Sequence, residues 1–223
     1  MPRLILGLEG ALGSFSVALV ASDGRMEPRV ACADPSEALE RGLRLVAQVL
    51  EGISIAELGA VAVGTGPGRF TGLRVALAFA KSFAFGAGLS LTGVNSYDIL
   101  EPENGPTPSA AFVSGRAGFV CVRLRTADAT LVRCGTRAAV VETIAAALAP
   151  GSMLAITGAT EGVAAGLGER GIIVRSPCTA PVPPALAVAL RAARITPAAS
   201  PHALRADYGE AVRAIERKVP PPS

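Results

Sequence analysis

One segment constrains the fold more than any other, because an apolar strand, a glycine-rich loop and an apolar helix follow each other directly. The strand is predicted at Leu58–Gly64, and the loop contains Gly64, Gly66 and Gly68. A helix is predicted over residues 70–86, whose only charged residues are Arg74 and Lys81. A helix that is apolar on nearly all sides must be buried on nearly all sides. One face can cover the chain's own sheet, so the other face needs a second covering partner.

The residue pattern of this helix favours a subunit interface. Leu73 and Leu77 lie on one apolar stripe, and Val75, Phe79 and Phe83 lie on another. Small residues recur at every fourth position, which predicts close approach by a second helix: Gly72, Ala76, Ala80 and Ala84. The predicted interface consists of Phe70, Thr71, Arg74, Val75, Ala78, Phe79, Lys81 and Ser82. The alternative is that the second half of the chain covers this face.

The glycine loop has two possible interpretations. Backbone amides between a strand and a helix can bind an anion, so a nucleotide phosphate is one candidate ligand. However, the run lacks both GxGxxG and GxxxxGK[ST], the two common nucleotide-loop patterns. The alternative is a tight strand-to-helix turn in which Thr71 caps the helix.

The order of predicted elements indicates an α/β protein with two similar halves. Strands at 3–8, 15–21 and 27–32 precede a helix at 35–51, and a further strand is predicted at 91–94 after the apolar helix. The second half begins again with three strands and then alternates helices and strands. Two βββαβα-type lobes are the architecture of the actin-like ATPase class.

The predicted domain organisation has an N-terminal lobe at residues 1–100, carrying the glycine loop and the interface helix. Residues 101–108 contain three prolines and one glycine and are predicted to be a linker. The C-terminal lobe is predicted at residues 109–223, and its last helix can return to the N-terminal lobe.

Composition and charge exclude several classes of protein. Half of the 223 residues are hydrophobic and 17% are charged, which excludes a wholly disordered chain. The sequence has no uninterrupted apolar run of membrane-spanning length and no secretory signal pattern. We therefore expect a cytoplasmic protein that does not associate with a membrane. Residues 113–223 carry a net charge of +6, so direct binding of RNA by this half stays an alternative. Against it, no basic run is interleaved with aromatic residues.

The metal-ligating residues are few and scattered. His202 is the only histidine, and Cys32, Cys121, Cys134 and Cys178 lie far apart without a CxxC pair. Zinc sites and disulfide scaffolds favour closely spaced ligands or a short, cysteine-dense chain. We therefore predict no metal site and expect the cysteines to act as small buried hydrophobic residues.

The run GTGPGRFTGLR at residues 64–74 resembles the bacterial TsaB (YeaZ) family, for which G-x-G-P-G-x-F-T-G-x-R is highly specific. Supporting matches are ILGLE at 5–9, SVAL at 16–19, Ala80-Lys81 and GVNS at 93–96. The resemblance is strong over residues 4–100 and weaker beyond, where Ser114-Gly115-Arg116 with Gly118, and Leu204-Arg205 after Pro201, are the main matches.

This resemblance implies an actin-like (ASKHA, RNase H-like) fold. It implies a non-catalytic subunit in the formation of threonylcarbamoyladenosine at position 37 of tRNAs that read ANN codons. The implied partners are a catalytic TsaD-like subunit and a TsaE-like ATPase, with tRNA bound through the complex. N-terminal helices would form that pairing, or a homodimer when the chain is alone. No intrinsic cofactor is implied, and ATP or ADP would bind only at the interface with a partner.

Three departures from the family pattern bear on catalysis. The family has Asp followed by Thr or Ser where this chain has Glu9 and Gly10, which with Gly13 and Ser14 are predicted to form a vestigial phosphate loop. Ser114 stands where the family often has an acid, and the family's histidine near Ala38 is absent.

The alternative function is a small-molecule kinase or ATPase of the same fold, which needs a carboxylate that holds Mg²⁺. A protease is disfavoured because one histidine and no nucleophile elbow are present.

Overall fold

The computed structural model describes residues 4–34, 38–115, 118–176 and 182–209. In these residues the strands form two five-stranded mixed sheets. The first sheet has the order β3-β2-β1-β4-β5 and consists of β1 (Leu4–Glu9), β2 (Phe15–Ala21), β3 (Arg29–Ala33), β4 (Leu58–Gly64) and β5 (Ser90–Val94). The second sheet has the order β10-β9-β6-β7-β8 and consists of β6 (Ser109–Ser114), β7 (Phe119–Arg125), β8 (Thr130–Thr136), β9 (Met153–Gly158) and β10 (Ile173–Arg175).

The two sheets have the same topology. In each, the first three strands pair antiparallel, and the fourth and fifth strands add in parallel on the far side of the first strand. The parallel additions follow helical connections, as parallel pairing requires. The repeat of strand order predicted from the sequence is therefore present in the structure.

Helices cover both faces of the first sheet. The helices are α1 (Ala38–Val49), α2 (Phe70–Ala87), α3 (Ser96–Leu100), α4 (Arg137–Ala147), α5 (Val163–Glu169) and α6 (Pro184–Ala192). The α1 and α2 helices pack on one face of the first sheet and α6 packs on the other, whereas α4 and α5 pack on the second sheet. Every residue of β1 and β2 is buried, which explains why these strands are apolar on both faces apart from Glu9 and Ser16.

The α6 helix follows the second sheet in the chain but packs on the first. A side chain at Gly7 would place its Cβ atom 2.4 Å from the Ala185 carbonyl oxygen, so this glycine allows the helix to approach β1 closely. The Ala185 amide donates a hydrogen bond of 3.2 Å to the buried Ser16 hydroxyl. The first sheet is thus completed by residues from the far end of the chain.

The two halves also meet directly. Tyr97 of α3 is buried with Val113 of β6 and Cys121 of β7, and Leu12 packs against this cluster. Beside it, the Arg123 guanidinium binds the Glu101 carboxylate at 2.8 Å and the Asp98 carboxylate at 2.6 Å. An apolar cluster and a charged cluster therefore join α3 to the second sheet.

The prediction for the cysteines is wrong in two respects. Cys121 and Cys134 face each other across β7 and β8 and form a disulfide, because that strand register brings their Cα atoms within 4.0 Å. Cys32 is a free, exposed thiol on the edge strand β3, where alternate residues point to solvent. Cys178 lies outside the described residues.

The structure also corrects the boundaries of several predicted elements. The β3 strand begins at Arg29 rather than residue 27, α6 ends at Ala192 rather than 194, and the short α3 helix was not predicted. The predicted first turn of α1, at Pro35 and Ser36, lies outside the described residues.

Candidate functional site

The three glycines of the glycine loop each accommodate a different neighbour. A Cβ atom at Gly64 would lie 3.0 Å from the Glu9 carboxylate oxygen. At Gly66, where φ is +92°, it would lie 2.2 Å from the Asp207 carbonyl oxygen, and at Gly68 it would lie 2.4 Å from the Ala11 carbonyl oxygen. The glycines are therefore required by close packing of the chain against itself.

Several backbone groups of this loop are already hydrogen-bonded within the protein. The Thr65 amide donates to the Val94 carbonyl at 2.8 Å, and the Thr65 carbonyl accepts from the Asp207 amide at 2.7 Å. The Arg69 amide donates to the Ala11 carbonyl at 2.8 Å. These bonds favour the tight-turn interpretation of the loop over the phosphate-binding one.

The segment 204–209, which we call the C-terminal strap, crosses the glycine loop. Its Leu204 side chain packs against Gly93, and its Asp207 carboxylate accepts a hydrogen bond from the Asn95 side chain at 3.3 Å. Gly209 lies against the Cys121–Cys134 disulfide, since a Cβ atom there would be 2.7 Å from the Cys121 sulfur. The strap therefore connects the glycine loop to the second sheet.

Glu9, at the end of β1, is fully buried. One carboxylate oxygen accepts from the Ala11 amide at 2.7 Å, and the other accepts from the Leu12 amide at 3.1 Å. Burial raises the pKa of this carboxyl to about 7, and the backbone hydrogen bonds of Ala11, Leu12 and Gly10 oppose that rise. The side chain thus folds back onto the loop that follows its own strand.

The rest of the predicted phosphate loop is closely packed or open to solvent. A Cβ atom at Gly10 would lie 2.4 Å from the Gly72 carbonyl oxygen, so the backbone of this loop touches the first turn of α2. Gly13 has φ of +135° with open space around it, and Ser14 is half-buried. A threonine at position 10, as in the family pattern, would not fit this arrangement.

The α2 helix has one buried face and one open face. Leu73 and Leu77 pack against the first sheet together with the small residues, since Ala76, Ala80 and Ala84 are completely buried. The small-residue stripe therefore brings α2 close to its own sheet, and the prediction that it receives a second helix is wrong. Thr71 is also not the N-cap: Arg69 occupies that position and makes no side-chain capping bond.

The predicted interface residues lie on two regions of the helix surface. Phe70, Thr71, Arg74, Ala78 and Ser82 are exposed, whereas Val75, Phe79 and Lys81 are half-buried at the border of the core. In the part of the chain that the structure describes, Pro201–Ala203 contacts α2, and the rings of Tyr208 and His202 lie beside those of Phe70 and Phe85 near its two ends. The described residues of the second half therefore leave Ala78 and Ser82 on this face exposed.

Aromatic contacts mark both ends of the exposed α2 face. Phe70 is 56% exposed, and its ring lies 5.3 Å from that of Tyr208, with the Arg74 guanidinium 4.9 Å above it. Phe85 is 67% exposed and lies 5.2 Å from the His202 ring. The sequence pattern did not indicate a role for Phe85, which lies outside the two apolar stripes of the helix. It also did not indicate His202 or Tyr208, because the segment around them has no periodic apolar pattern.

A cavity of about 290 Å³ lies at the end of β6 in the second sheet. Ser114 lines it together with Arg137 and residues 158–161. Among the described residues, no three His, Cys, Asp or Glu side chains are grouped so that they could hold a metal ion. No helix within the described ranges is long and apolar enough to cross a membrane.

This chain is similar to known proteins both in sequence and in fold. Residues 18–124 match the family model described as TsaD: tRNA N6-adenosine threonylcarbamoyltransferase. The chain is 34% identical over 122 residues to the tRNA threonylcarbamoyladenosine biosynthesis protein TsaB of Escherichia coli K12, and the match covers 52% of each protein. It therefore spans about half the length of that relative.

Two solved structures from Pseudomonas aeruginosa share the fold. One is described as an uncharacterized protein with similarity to peptidase YEAZ, with a TM-score of 0.66, 22% identity and coverage of 93% of this chain and 100% of that one. The other, YeaZ, has a TM-score of 0.61 and 21% identity, covering 92% of this chain and 99% of that one.

The repeated sheet topology and these neighbours define an actin-like (ASKHA) fold of two similar halves. With the sequence match to the Escherichia coli protein, they support a relation of this chain to the TsaB/YeaZ proteins.

Proposed function

We propose that this chain is a non-catalytic subunit that takes part in the threonylcarbamoylation of adenosine 37 in tRNAs that read ANN codons. It acts by pairing with a catalytic TsaD-like subunit. The observation that carries the proposal is α2, whose inner face is buried against its own sheet while Phe70, Ala78 and Phe85 are exposed on the outer side. Large exposed apolar side chains grouped on one helix are typical of an interaction surface.

The geometry of the loop after β1 supports a non-catalytic role. Phosphoryl transfer depends on backbone amides and metal ions that hold the phosphates. Here the Ala11 and Leu12 amides are bonded to Glu9, and the Gly10 backbone is packed on Gly72. These contacts weigh against the alternative of a small-molecule kinase or ATPase. In our proposal the chain alone binds ATP weakly or not at all, and nucleotide binds only at the interface with a partner.

The remaining parts of the proposal follow from the family. A TsaE-like ATPase joins the pair, tRNA binds through the complex, and the same α2 face forms a homodimer when the catalytic subunit is absent. The proposed site of action is the cytoplasm.

The decisive experiment places a charge in the centre of the exposed α2 face. Ala78→Glu should leave the chain folded and abolish both homodimer formation and binding to a TsaD-like partner. A carboxylate buried in an apolar contact without a partner costs several kcal/mol, which corresponds to a loss of association of about a hundredfold or more. Sedimentation, thermal melting and a tRNA-modification assay reconstituted from the purified subunits would measure these effects.

A matched control is available on another helix. Ala146 is also an exposed helical alanine, but it lies on α4 beside the second sheet. Ala146→Glu should change neither assembly nor modification activity. If Ala78→Glu remained dimeric and active, the α2 face would not be the interface and the proposal would fail.

A further inference from the structure

The C-terminal strap ends on the disulfide that joins β7 to β8. A Cβ atom at Gly209 would lie 2.7 Å from the Cys121 sulfur and 3.0 Å from the Cys134 sulfur, so the strap backbone packs against both sulfurs. The φ of Gly209 is +71°, a conformation that glycine adopts without steric cost. At this point the strap therefore has no room for even one additional methyl group.

The two sulfurs have different surroundings. Cys121 is fully buried in the cluster that contains Tyr97 and Val113, whereas Cys134 is half-buried at the border of that cluster. A small reductant in solution therefore reaches the Cys134 sulfur first. The packed cluster also holds Cys121 in place, so any separation of the two sulfurs moves Cys134 toward the strap and the solvent.

The contacts that dock the strap lie within two residues of Gly209. The Gly209 amide donates to the Asp207 carboxylate at 2.8 Å, and the Asp207 amide donates to the Thr65 carbonyl at 2.7 Å. The Tyr208 ring lies 5.3 Å from the Phe70 ring. Asp207 and Tyr208 are exposed, so little buried surface opposes local release of the strap. A displacement at Gly209 thus reaches the glycine loop and α2 directly.

We propose that the Cys121–Cys134 disulfide is a site of thiol–disulfide exchange with a dithiol reductant, and that its reduction releases the strap from the glycine loop. One thiolate of the dithiol attacks the Cys134 sulfur, the S–S bond breaks, and Cys121 leaves as a thiolate that takes up a proton. The second thiolate of the dithiol then displaces Cys134, which is protonated in turn, and closes a disulfide within the reductant. Two electrons pass to the protein, and the dithiol is oxidised.

The reason for the release is steric. Two sulfurs that no longer share a covalent bond separate to van der Waals contact. The volume that they then need is the volume in which Gly209 packs, so the docked strap and the reduced cysteine pair exclude each other. Reduction therefore breaks the bond between the Asp207 amide and the Thr65 carbonyl. This inference concerns the single chain and does not rest on the proposed function.

Hydrogen–deuterium exchange of the strap in the full chain tests the proposal. Peptide mapping is used first to follow the link between Cys121 and Cys134, which should be present in the oxidised chain and absent after treatment with dithiothreitol. The Asp207 amide should then exchange about tenfold faster or more in the reduced chain, as expected when one hydrogen bond is lost. The amides of β1, which is buried throughout, should exchange equally in both states.

Two glycines provide a matched pair of variants. Gly209 and Gly24 have φ of +71° and +70°, but a Cβ atom at Gly24 would meet nothing within 4 Å. Gly209→Ala should therefore give fast exchange of the strap even in the oxidised chain, whereas Gly24→Ala should leave that exchange slow. This comparison separates the loss of packing on the disulfide from the backbone strain that both substitutions share.

Cysteine variants identify the group that responds to the reductant. Cys134→Ser should give fast strap exchange with or without dithiothreitol, and Cys32→Ser should respond as the unaltered chain does, because Cys32 lies on β3. Equal strap exchange in the oxidised and reduced chains would overturn the proposal. It would also fail if peptide mapping found no link between Cys121 and Cys134, or if the strap of a folded Cys134→Ser protein exchanged as slowly as that of the oxidised chain.

Discussion

At the scale of single residues, Glu9 makes stability depend on pH. Its pKa is raised by burial from about 4.5 to about 7 in the folded chain, so the folded state binds a proton more tightly than the unfolded state. Between these values the folded chain carries more protons, and the free energy of unfolding therefore falls as pH rises. The stabilising effect of the bound proton is greatest below the unfolded pKa and is lost as pH rises through the folded pKa.

We expect Glu9→Gln to remove this dependence. Relative to the variant, the wild-type chain should lose about 2 kcal/mol of unfolding free energy between pH 5.5 and pH 8. Urea denaturation of both proteins at the two pH values measures this difference, and the other titrating groups cancel in the comparison. Parallel pH profiles for the two proteins would mean that Glu9 ionises as freely in the folded chain as in the unfolded one.

The sequence predicted part of this residue-scale picture. The acid after an apolar strand identified Glu9 as a residue of interest, and the glycine beside it predicted a loop that binds phosphate poorly, which stays a prediction. The hydrogen bonds from Ala11 and Leu12 could have been expected, because an acidic side chain before a tight turn often bonds the amides that follow it. The packing of Gly10 on Gly72 could not, since those residues are distant in sequence.

At the scale of elements, α2 contains two glycines with opposite roles. A Cβ atom at Gly72 would lie 2.0 Å from the Gly10 carbonyl oxygen, whereas the space around Gly86 is open. Gly72 is therefore needed for the close approach of α2 to the loop after β1. No neighbour would contact a methyl group at Gly86, so no packing requires glycine there. This glycine lowers the stability of the helix only through the backbone entropy that it loses on folding.

These two positions give a matched pair of substitutions in one helix. Gly72→Ala should destabilise the chain by more than about 2 kcal/mol, because one of two backbone segments must move. Gly86→Ala should stabilise it by about 0.5–1 kcal/mol. Thermal and chemical unfolding would measure both, and equal effects of the same sign would contradict the packing described.

Strands and helices with strong local patterns were predicted within a few residues, including α2 and the central strands. The short α3 helix was not, because five residues carry too little periodicity. The roles of the α2 faces were only partly predicted: the apolar pattern indicated two contacts, but it could not show that the small residues face the sheet. The disulfide was missed because strand register, not spacing along the sequence, brings Cys121 to Cys134.

At the scale of the whole molecule, the Arg123 cluster joins the two halves. The side chains of Arg123 and Glu101 are only 12% and 10% exposed, so the two form a largely buried ion pair. Arg125 also reaches Glu101 at 2.9 Å and can compensate in part. By contrast, the ion pair of Arg170 and Glu142 is 47% and 56% exposed.

We expect Arg123→Ala to cost on the order of 2–3 kcal/mol of unfolding free energy, because it leaves a buried carboxylate with only one partner. Arg170→Ala should cost less than about 1 kcal/mol, since water screens its pair. Urea unfolding compares the two variants directly. A loss for Arg123→Ala no larger than for Arg170→Ala would show that the charged cluster does not hold the halves together.

The return of α6 to the first sheet has a consequence for how the chain is made. The bond from the Ala185 amide to the Ser16 hydroxyl joins residues 169 positions apart, so the ribosome must synthesise the chain as far as α6 before that face can be covered. Until α6 has been synthesised, the apolar side chains of Ile5, Val20 and Ala62 lack the residues that cover them in the folded chain. The nascent N-terminal half is thus a natural client for a chaperone until α6 has been synthesised.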